Sequence, residues 1–117
     1  MKFKLIVALV NPEITNDVVD TAKKSGATGN VTIPARGCGI EETKFMGISI
    51  EDRTDVILFV VEEHSVKRIL ENISKETKLD EPGNGIIVVL SIDQVAGLDR
   101  QIAKIKDKLK TEQLYLK

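Results

Sequence analysis

The apolar residues of this chain follow two periods, one typical of strands and one typical of helices. Strand-like runs rich in Val, Ile, Leu and Phe occupy 2–10, 29–36, 56–61 and 86–90. The run at 29–36 alternates, whereas the other three are almost continuously apolar. Short runs of this kind predict β-strands, and continuous ones predict strands that are covered rather than exposed to water.

Three further segments repeat their apolar residues at spacings of three and four, which predicts amphipathic helices. The first contains Ile14, Val18, Val19 and Ala22 and ends at Ser25-Gly26; the second contains Val66, Ile69, Leu70 and Ile73. The third contains Ile92, Val95, Leu98, Ile102, Ile105 and Leu109. It predicts one helix or two short ones within 91–117, with room for a last short strand at 113–116.

The predicted order is therefore β-α-β-β-α-β followed by a C-terminal helical appendage. This order is typical of the α+β ferredoxin-like fold, a four-stranded antiparallel sheet with two helices on one face. Its length of 117 residues fits a single domain, 1–117. Because the strands at 56–61 and 86–90 are so apolar, we expect partner subunits to cover the second face of the sheet.

Charge and targeting signals exclude several classes of function. Seventeen basic and eighteen acidic residues give a net charge of −1, which removes the electrostatic drive toward nucleic acids and anionic membranes. The N-terminal apolar stretch, 5–10, is read as a strand and not as a signal peptide, because it ends at Asn11-Pro12 without a cleavage site. The single cysteine, Cys38, excludes an internal disulfide and fits a cytoplasmic protein.

No catalytic or metal-binding constellation stands out. The only histidine, His64, lies in the first turn of the second predicted helix, where we expect an exposed or capping residue. Cys38 lies between two glycines and has only Arg36 nearby to lower its thiol pKa, so we expect a passive small residue. One histidine and one cysteine do not make a metal site within one subunit. We therefore expect neither an enzyme nor a resident metal.

Two glycine-bearing segments are more informative. Arg36-Gly37-Cys38-Gly39 follows the second strand and opens a long loop, 37–52, while Pro82-Gly83-Asn84-Gly85 precedes the fourth strand. Glycine permits positive φ and lets backbone amides approach a ligand closely. Taken alone, the second segment is simply a turn.

Together with 25–29 (Ser-Gly-Ala-Thr-Gly) and 92–98 (Ile-Asp-Gln-Val-Ala-Gly-Leu), these segments resemble the PII signal-transduction family and its shorter PII-like branch. The resemblance covers residues 1 to about 98. It implies a regulatory homotrimer whose sheets pack around a threefold axis. It also implies that an adenine nucleotide binds in each cleft between subunits.

The resemblance also implies roles for individual residues. Arg36, Gly37, Cys38 and Gly39 would form the base of the T-loop (37–52), and Gly83, Asn84 and Gly85 the phosphate-facing part of the B-loop (79–85). The T-loop would contact a target protein, either a membrane transporter or a metabolic enzyme. Its one apolar cluster, Phe45, Met46 and Ile48, is the expected contact tip, unless these side chains fold back onto the body.

The chain departs from the family pattern where the phosphates would lie. The usual Gly-Asp-Gly-Lys is Gly83-Asn84-Gly85-Ile86 here, and two arginines of the classical proteins align roughly with Gly97 and Asp99. Without those cations a triphosphate keeps unneutralised charge, so we expect AMP or ADP to bind better than ATP, or nucleotides to bind weakly. The cations that could substitute in part are Arg36, Lys44, Arg53, Lys78 and Arg100.

Two alternatives stay open at this point. One is a structural or metal-tolerance trimer of the same fold, which should bring His and Cys ligands to the subunit cleft. The other is an enzyme on the same scaffold, which requires a paired acid and base. Modification of a T-loop tyrosine is excluded, because the only tyrosine is Tyr115.

Overall fold

A computed structural model describes residues 2–36, 53–81, 83–97 and 107 with their side chains, and 44–45 and 48–49 as backbone. The elements are β1 (Phe3–Val10), α1 (Thr15–Lys24), β2 (Val31–Arg36), β3 (Lys44–Phe45), β4 (Ile48–Ser49), β5 (Arg53–Glu62), α2 (Val66–Glu76) and β6 (Gly85–Ser91). Short 3-10 turns, Pro12–Ile14 and Glu63–Ser65, lead into the two helices.

Four of the strands form one antiparallel sheet in the order β2-β5-β1-β6. β1 lies between β5 and β6, with Val10 opposite Asp55 on one side and Gly85 on the other. β2 is an edge strand that pairs with β5 from Val31↔Leu58 to Arg36↔Arg53. This topology confirms the predicted ferredoxin-like α+β fold.

The two helices cover one face of the sheet, which we call the helix face. Side chains alternate along a strand, so every second residue of β1 and β5 points toward the helices. Buried apolar residues there include Ile6, Ala8, Val10, Ile57, Phe59 and Val61 from the sheet, Val18 and Ala22 from α1, and Ile69 and Ile73 from α2. This hydrophobic core is the one that the strand and helix periods predict.

The opposite face, which we call the open face, carries three cross-strand rows of aliphatic residues. The rows are Leu90–Leu5–Val60, Val88–Val7–Leu58–Val31 and Ile86–Leu9–Val56–Ile33. On the two edge strands the exposed fraction of these residues ranges from 42% at Val88 to 58% at Val31 and Ile86. No described element of the chain covers this face.

The structure changes three predicted boundaries. β5 begins at Arg53 rather than at 56, because its polar start pairs with the end of β2. Within the segment 37–52, β3 and β4 pair as a short hairpin with Phe45 opposite Ile48. Residue 91 belongs to β6, and 92–97 are not helical, so the C-terminal helix does not start at 91. Of the rest of the predicted appendage only Asp107 is described, as helical.

Candidate functional site

The candidate site lies at the end of the sheet where β1 and β2 finish and β5 and β6 begin. The strand registers place Val10, Gly85 and Asp55 level with one another at this end. Arg36 and Arg53 lie opposite each other two residues further out along β5. Both glycine-bearing segments singled out from the sequence therefore emerge from the same end of the sheet.

The turn from Lys78 to Gly85, which we call the Lys78 turn, is held by its own hydrogen bonds. The Lys78 carbonyl accepts two bonds, from the Glu81 amide at 3.1 Å and from Asn84 Nδ2 at 2.8 Å. The Asn84 amide donates to the Glu81 carbonyl at 3.1 Å. These bonds join the start of the turn to Asn84, which directly precedes β6.

Asn84 also ties this turn to the end of β1. Its carbonyl accepts a 2.8 Å bond from the Asn11 amide, and the Asn11 side chain accepts from the Glu13 amide at the start of the 3-10 turn before α1. Since the backbone N–H, the carbonyl and the side-chain amide of Asn84 all bond within the protein, its main contribution is to hold the turn in place. Sequence analysis missed Asn11, whose contact with Asn84 depends on the β1–β6 register.

The two glycines of the turn have different surroundings. At Gly85, with φ +141°, an ideal Cβ would lie 2.3 Å from the Leu9 carbonyl oxygen and 2.8 Å from Val10 Cα, so no side chain fits against β1. At Gly83, with φ +84°, nothing lies within 4 Å of an ideal Cβ. Gly85 is therefore required by strand packing, whereas Gly83 is the exposed glycine that a ligand could approach.

The end of β2, where the predicted T-loop begins, lies across the sheet from this turn. β2 and β6 occupy opposite edges of the sheet, so three strand spacings, about 14 Å, lie between the strand that contains Arg36 and the strand that contains Gly85. Arg36 and Arg53 are both exposed. Gly37, Cys38, Gly39 and Met46 lie outside the described residues, and Phe45 and Ile48 are described as backbone only.

A side-chain hydrogen bond at this end of the sheet was also not anticipated. Thr15 Oγ1 donates to Asp55 Oδ2 at 2.6 Å, joining the start of α1 to the start of β5. Thr15 is buried, with 8% of its surface exposed, so the bond satisfies a hydroxyl that would otherwise be costly to bury. Nothing in the local sequence indicates this bond, because the two residues are polar and lie 40 positions apart along the chain.

The segment at 25–29 has a structural explanation. Ser25 ends α1, and its carbonyl and Oγ accept bonds from Arg68 Nε at 2.8 Å and Asn72 Nδ2 at 2.9 Å of α2. Gly26 has φ +122°, and an ideal Cβ there would lie 3.0 Å from the Arg68 guanidinium. This motif therefore joins the two helices.

His64 lies in the 3-10 turn before α2 with its side chain 87% exposed, which confirms the expected exposure. The capping group is Glu62, whose side chain accepts from the His64 amide at 2.8 Å. The Glu62 carboxylate also lies 2.6 Å from His64 Nδ1; this hydrogen bond and the charge of Glu62 raise the pKa of the imidazole above its usual 6.5.

Two searches of the described part of the chain give no further site. Among those residues no group of three or more His, Cys, Asp or Glu side chains is placed to hold a metal ion. No helix in the same ranges has both the length and the apolar character needed to span a bilayer.

The fold and the turn define an α+β protein of ferredoxin-like topology with a glycine-bearing loop at one end of its sheet. The model of the nitrogen regulatory protein P-II family matches residues 3–101. This match covers most of the chain, which therefore belongs to the nitrogen regulatory protein P-II family and is a regulatory protein of the PII type. A search of curated proteins finds no match.

Proposed function

We propose that this chain is a signalling protein that binds an adenine nucleotide in clefts between the subunits of a homotrimer. The observation that carries the proposal is the position of the Lys78 turn. It leads directly into Ile86, which is 58% exposed on the open face. A subunit that covers the open face would therefore border the turn, and the cleft between two subunits would contain Gly83.

The open face supports the assembly. Aliphatic side chains occupy all three of its rows, and a patch of this kind on a stable protein marks an interaction surface. A closed trimer covers the same face in each subunit. We propose that the protein acts in the cytoplasm, and that the nucleotide state of the cleft is transmitted through the T-loop to a protein target, either a membrane transporter or a metabolic enzyme.

The T-loop is the proposed target-binding element. Its described part is a hairpin with only two residues in each strand, β3 and β4. Hairpins of this size are marginally stable without further packing. We expect fast amide hydrogen exchange at 44–45 and 48–49 in the free protein and slower exchange when nucleotide or target binds. Strong protection in the free protein would instead mean that Phe45, Met46 and Ile48 already pack on the body.

The ligand preference follows from the missing cations. Ile86, Gly97 and Asp99 occupy the positions where the family pattern has lysine and arginine. We therefore expect AMP or ADP to bind more tightly than ATP. Isothermal titration calorimetry with all three nucleotides, with and without Mg²⁺, tests this order. Submicromolar binding of ATP together with weaker binding of AMP would contradict it.

A substitution that restores the family pattern sharpens the test. Where light scattering shows that the trimer is kept, Ile86→Lys should raise the affinity for ATP by roughly 10- to 100-fold, since a charge-assisted hydrogen bond contributes about 1.5–3 kcal/mol. Ile86→Gln is the matched control, because it introduces a polar group of similar length without the charge. Equal ATP affinities of Ile86→Lys and Ile86→Gln would contradict the expectation that the missing positive charges weaken ATP binding.

The alternative of a structural or metal-tolerance trimer makes a different prediction. Such a protein would keep its trimeric mass but show no thermal stabilisation with AMP, ADP or ATP. A bound ligand raises the melting temperature by mass action, so a thermal-shift screen separates the two functions.

A further inference from the structure

Lys78 is the one non-glycine residue with positive φ among those that the structure describes, at φ 52°. It follows Thr77, the residue that caps α2, and this position is commonly glycine or asparagine. An L side chain in the left-handed region is disfavoured by about 1–2 kcal/mol relative to the right-handed one. The chain therefore keeps a lysine where a glycine would be less strained.

The fold accounts for the conformation of this residue but not for its identity. Leu79, the next residue, is 9% exposed and belongs to the hydrophobic core, so the chain must turn back immediately after α2. Any residue at 78 must adopt this conformation to bury Leu79. The conformation therefore has a packing reason, whereas the presence of lysine instead of glycine or asparagine at this position does not.

The backbone around Lys78 is anchored, while its side chain is exposed. Thr77 bonds back to the Ile73 carbonyl through both its amide and its hydroxyl, at 3.0 and 2.6 Å. The Lys78 carbonyl accepts from Asn84 Nδ2, so the lysine begins beside the segment that contains Gly83. Its side chain is a flexible four-carbon stem that ends in an ammonium with three hydrogen-bond donors.

The other candidate cations are less well placed within one subunit. Arg36 lies on β2, at the edge of the sheet opposite β6, and Arg53 lies beside it on the inner strand β5. The Lys44 side chain and Arg100 lie outside the described residues. Among the described cations, Lys78 alone belongs to the turn that contains Gly83.

Lys78 carries the one positive charge among residues 78–85. The turn also carries the exposed carboxylates of Asp80 and Glu81. Its formal charge is −1 with Lys78 (one positive, two negative) and would be −2 without it. A phosphate that approaches Gly83 meets two repelling groups and one attracting group.

We propose that Lys78 binds the phosphate of the nucleotide, in place of the lysine that the family pattern has at position 86. This inference rests on the proposed nucleotide-binding function and names the residue that makes it possible. Asn84 is then a positioning residue, which holds the Lys78 backbone through its side-chain amide. An ionised aspartate at 84 could not donate this bond.

The test uses the full chain and calorimetry with ADP, AMP and adenosine. Lys78→Asn removes the charge but tolerates positive φ, so the turn should stay folded. We expect it to weaken ADP and AMP binding by about tenfold or more and to leave adenosine binding unchanged. Lys78→Arg should retain most of the affinity. Lys75→Asn, which removes an exposed lysine from α2, is the control and should bind as the wild type does.

A second variant reverses the effect. Asp80→Asn combined with Glu81→Gln removes the two repelling carboxylates and should tighten ADP binding. Melting temperatures of all variants should match the wild type or, for Lys78→Asn, exceed it because strain is relieved.

The outcomes separate the two proposals. If the wild type binds ADP and Lys78→Asn binds it equally well, Lys78 is not the phosphate ligand, while nucleotide binding stands. If the wild type binds none of AMP, ADP and inorganic pyrophosphate, both proposals are overturned.

Discussion

The two faces of the sheet carry the same kinds of side chain but differ in what covers them. Ile57 on the helix face is fully buried, whereas Ile86 on the open face is 58% exposed. The difference arises from the strand register, which sends alternate residues of the same strands to opposite faces. One hydrophobic core is therefore completed within the chain, while the aliphatic rows of the open face are left uncovered by every described element.

Placing a charge on the open face should have the largest effect. Val88→Lys puts an ammonium in the middle row of aliphatic residues, where burial against another subunit would leave it unpaired. We expect association to be lost. Light scattering at micromolar concentration should give about three times the 12.9 kDa chain mass for the wild type and the single-chain mass for the variant.

Glu71→Lys is the matched control, because this residue is exposed on α2, away from the open face. It should remain trimeric. A wild-type protein that is monomeric at the same concentration would show that the open face is not an interface between copies of this chain.

A pair of identical substitutions measures the difference between the faces directly. Ile57→Ala should destabilise the protein by about 2–5 kcal/mol, because it leaves a cavity in the helix-face core. Ile86→Ala should cost less than 0.5 kcal/mol in a dissociated chain, as surface substitutions do. In the trimer its cost should be larger and should depend on protein concentration.

Urea unfolding at two protein concentrations gives both free energies of unfolding. If Ile57→Ala and Ile86→Ala lower the free energy of unfolding by the same amount at both protein concentrations, the two faces do not differ in the way that the exposure of these residues indicates.

The smallest expected effect lies outside both faces, at His64. Because Glu62 raises the imidazole pKa in the folded protein, the protonated form is favoured by folding. This contribution to stability is fully present below the usual pKa of 6.5 and is lost as pH rises through the higher folded-state value. NMR titration of the His64 ring should show a pKa above 6.5, which Glu62→Gln should lower. An unchanged pKa in Glu62→Gln would contradict the assignment of this carboxylate as the cause.

The sequence was sufficient for the four strands of the main sheet, for α1 and α2 and for their order along the chain, because each of these elements has a clear apolar period. It did not predict that β5 begins at Arg53. The polar residues Arg53, Thr54 and Asp55 give no strand signal of their own, and they are strand residues because their backbone pairs with β2. The start of β5 is therefore set by its pairing with β2, a strand that lies far away in the sequence.

The candidate site was predictable only as a turn. Pro-Gly-Asn-Gly marks 82–85 as a turn, but its anchoring also depends on Asn11, which the pairing of β1 with β6 brings to Asn84, and on the Lys78 carbonyl six residues earlier. The positive φ of Lys78 likewise results from the burial of Leu79, which the sequence alone does not reveal. The local sequence pattern therefore predicts the turn, whereas its contacts with β1 and with the hydrophobic core determine the role of each residue in it.

The close approach of Gly85 to β1 affects how evolution can act on this loop. An ideal Cβ at 85 would lie 2.3 Å from the Leu9 carbonyl oxygen, so every descendant that keeps the β1–β6 pairing must keep this glycine. An invariant glycine at 85 among homologues would therefore reveal nothing about ligand selection. At position 83 an ideal Cβ would meet nothing within 4 Å, so the glycine there is favoured by its φ of +84° and not by a contact with β1. A correlated loss of Lys78 and Gly83 would mark lineages in which the site has been abandoned.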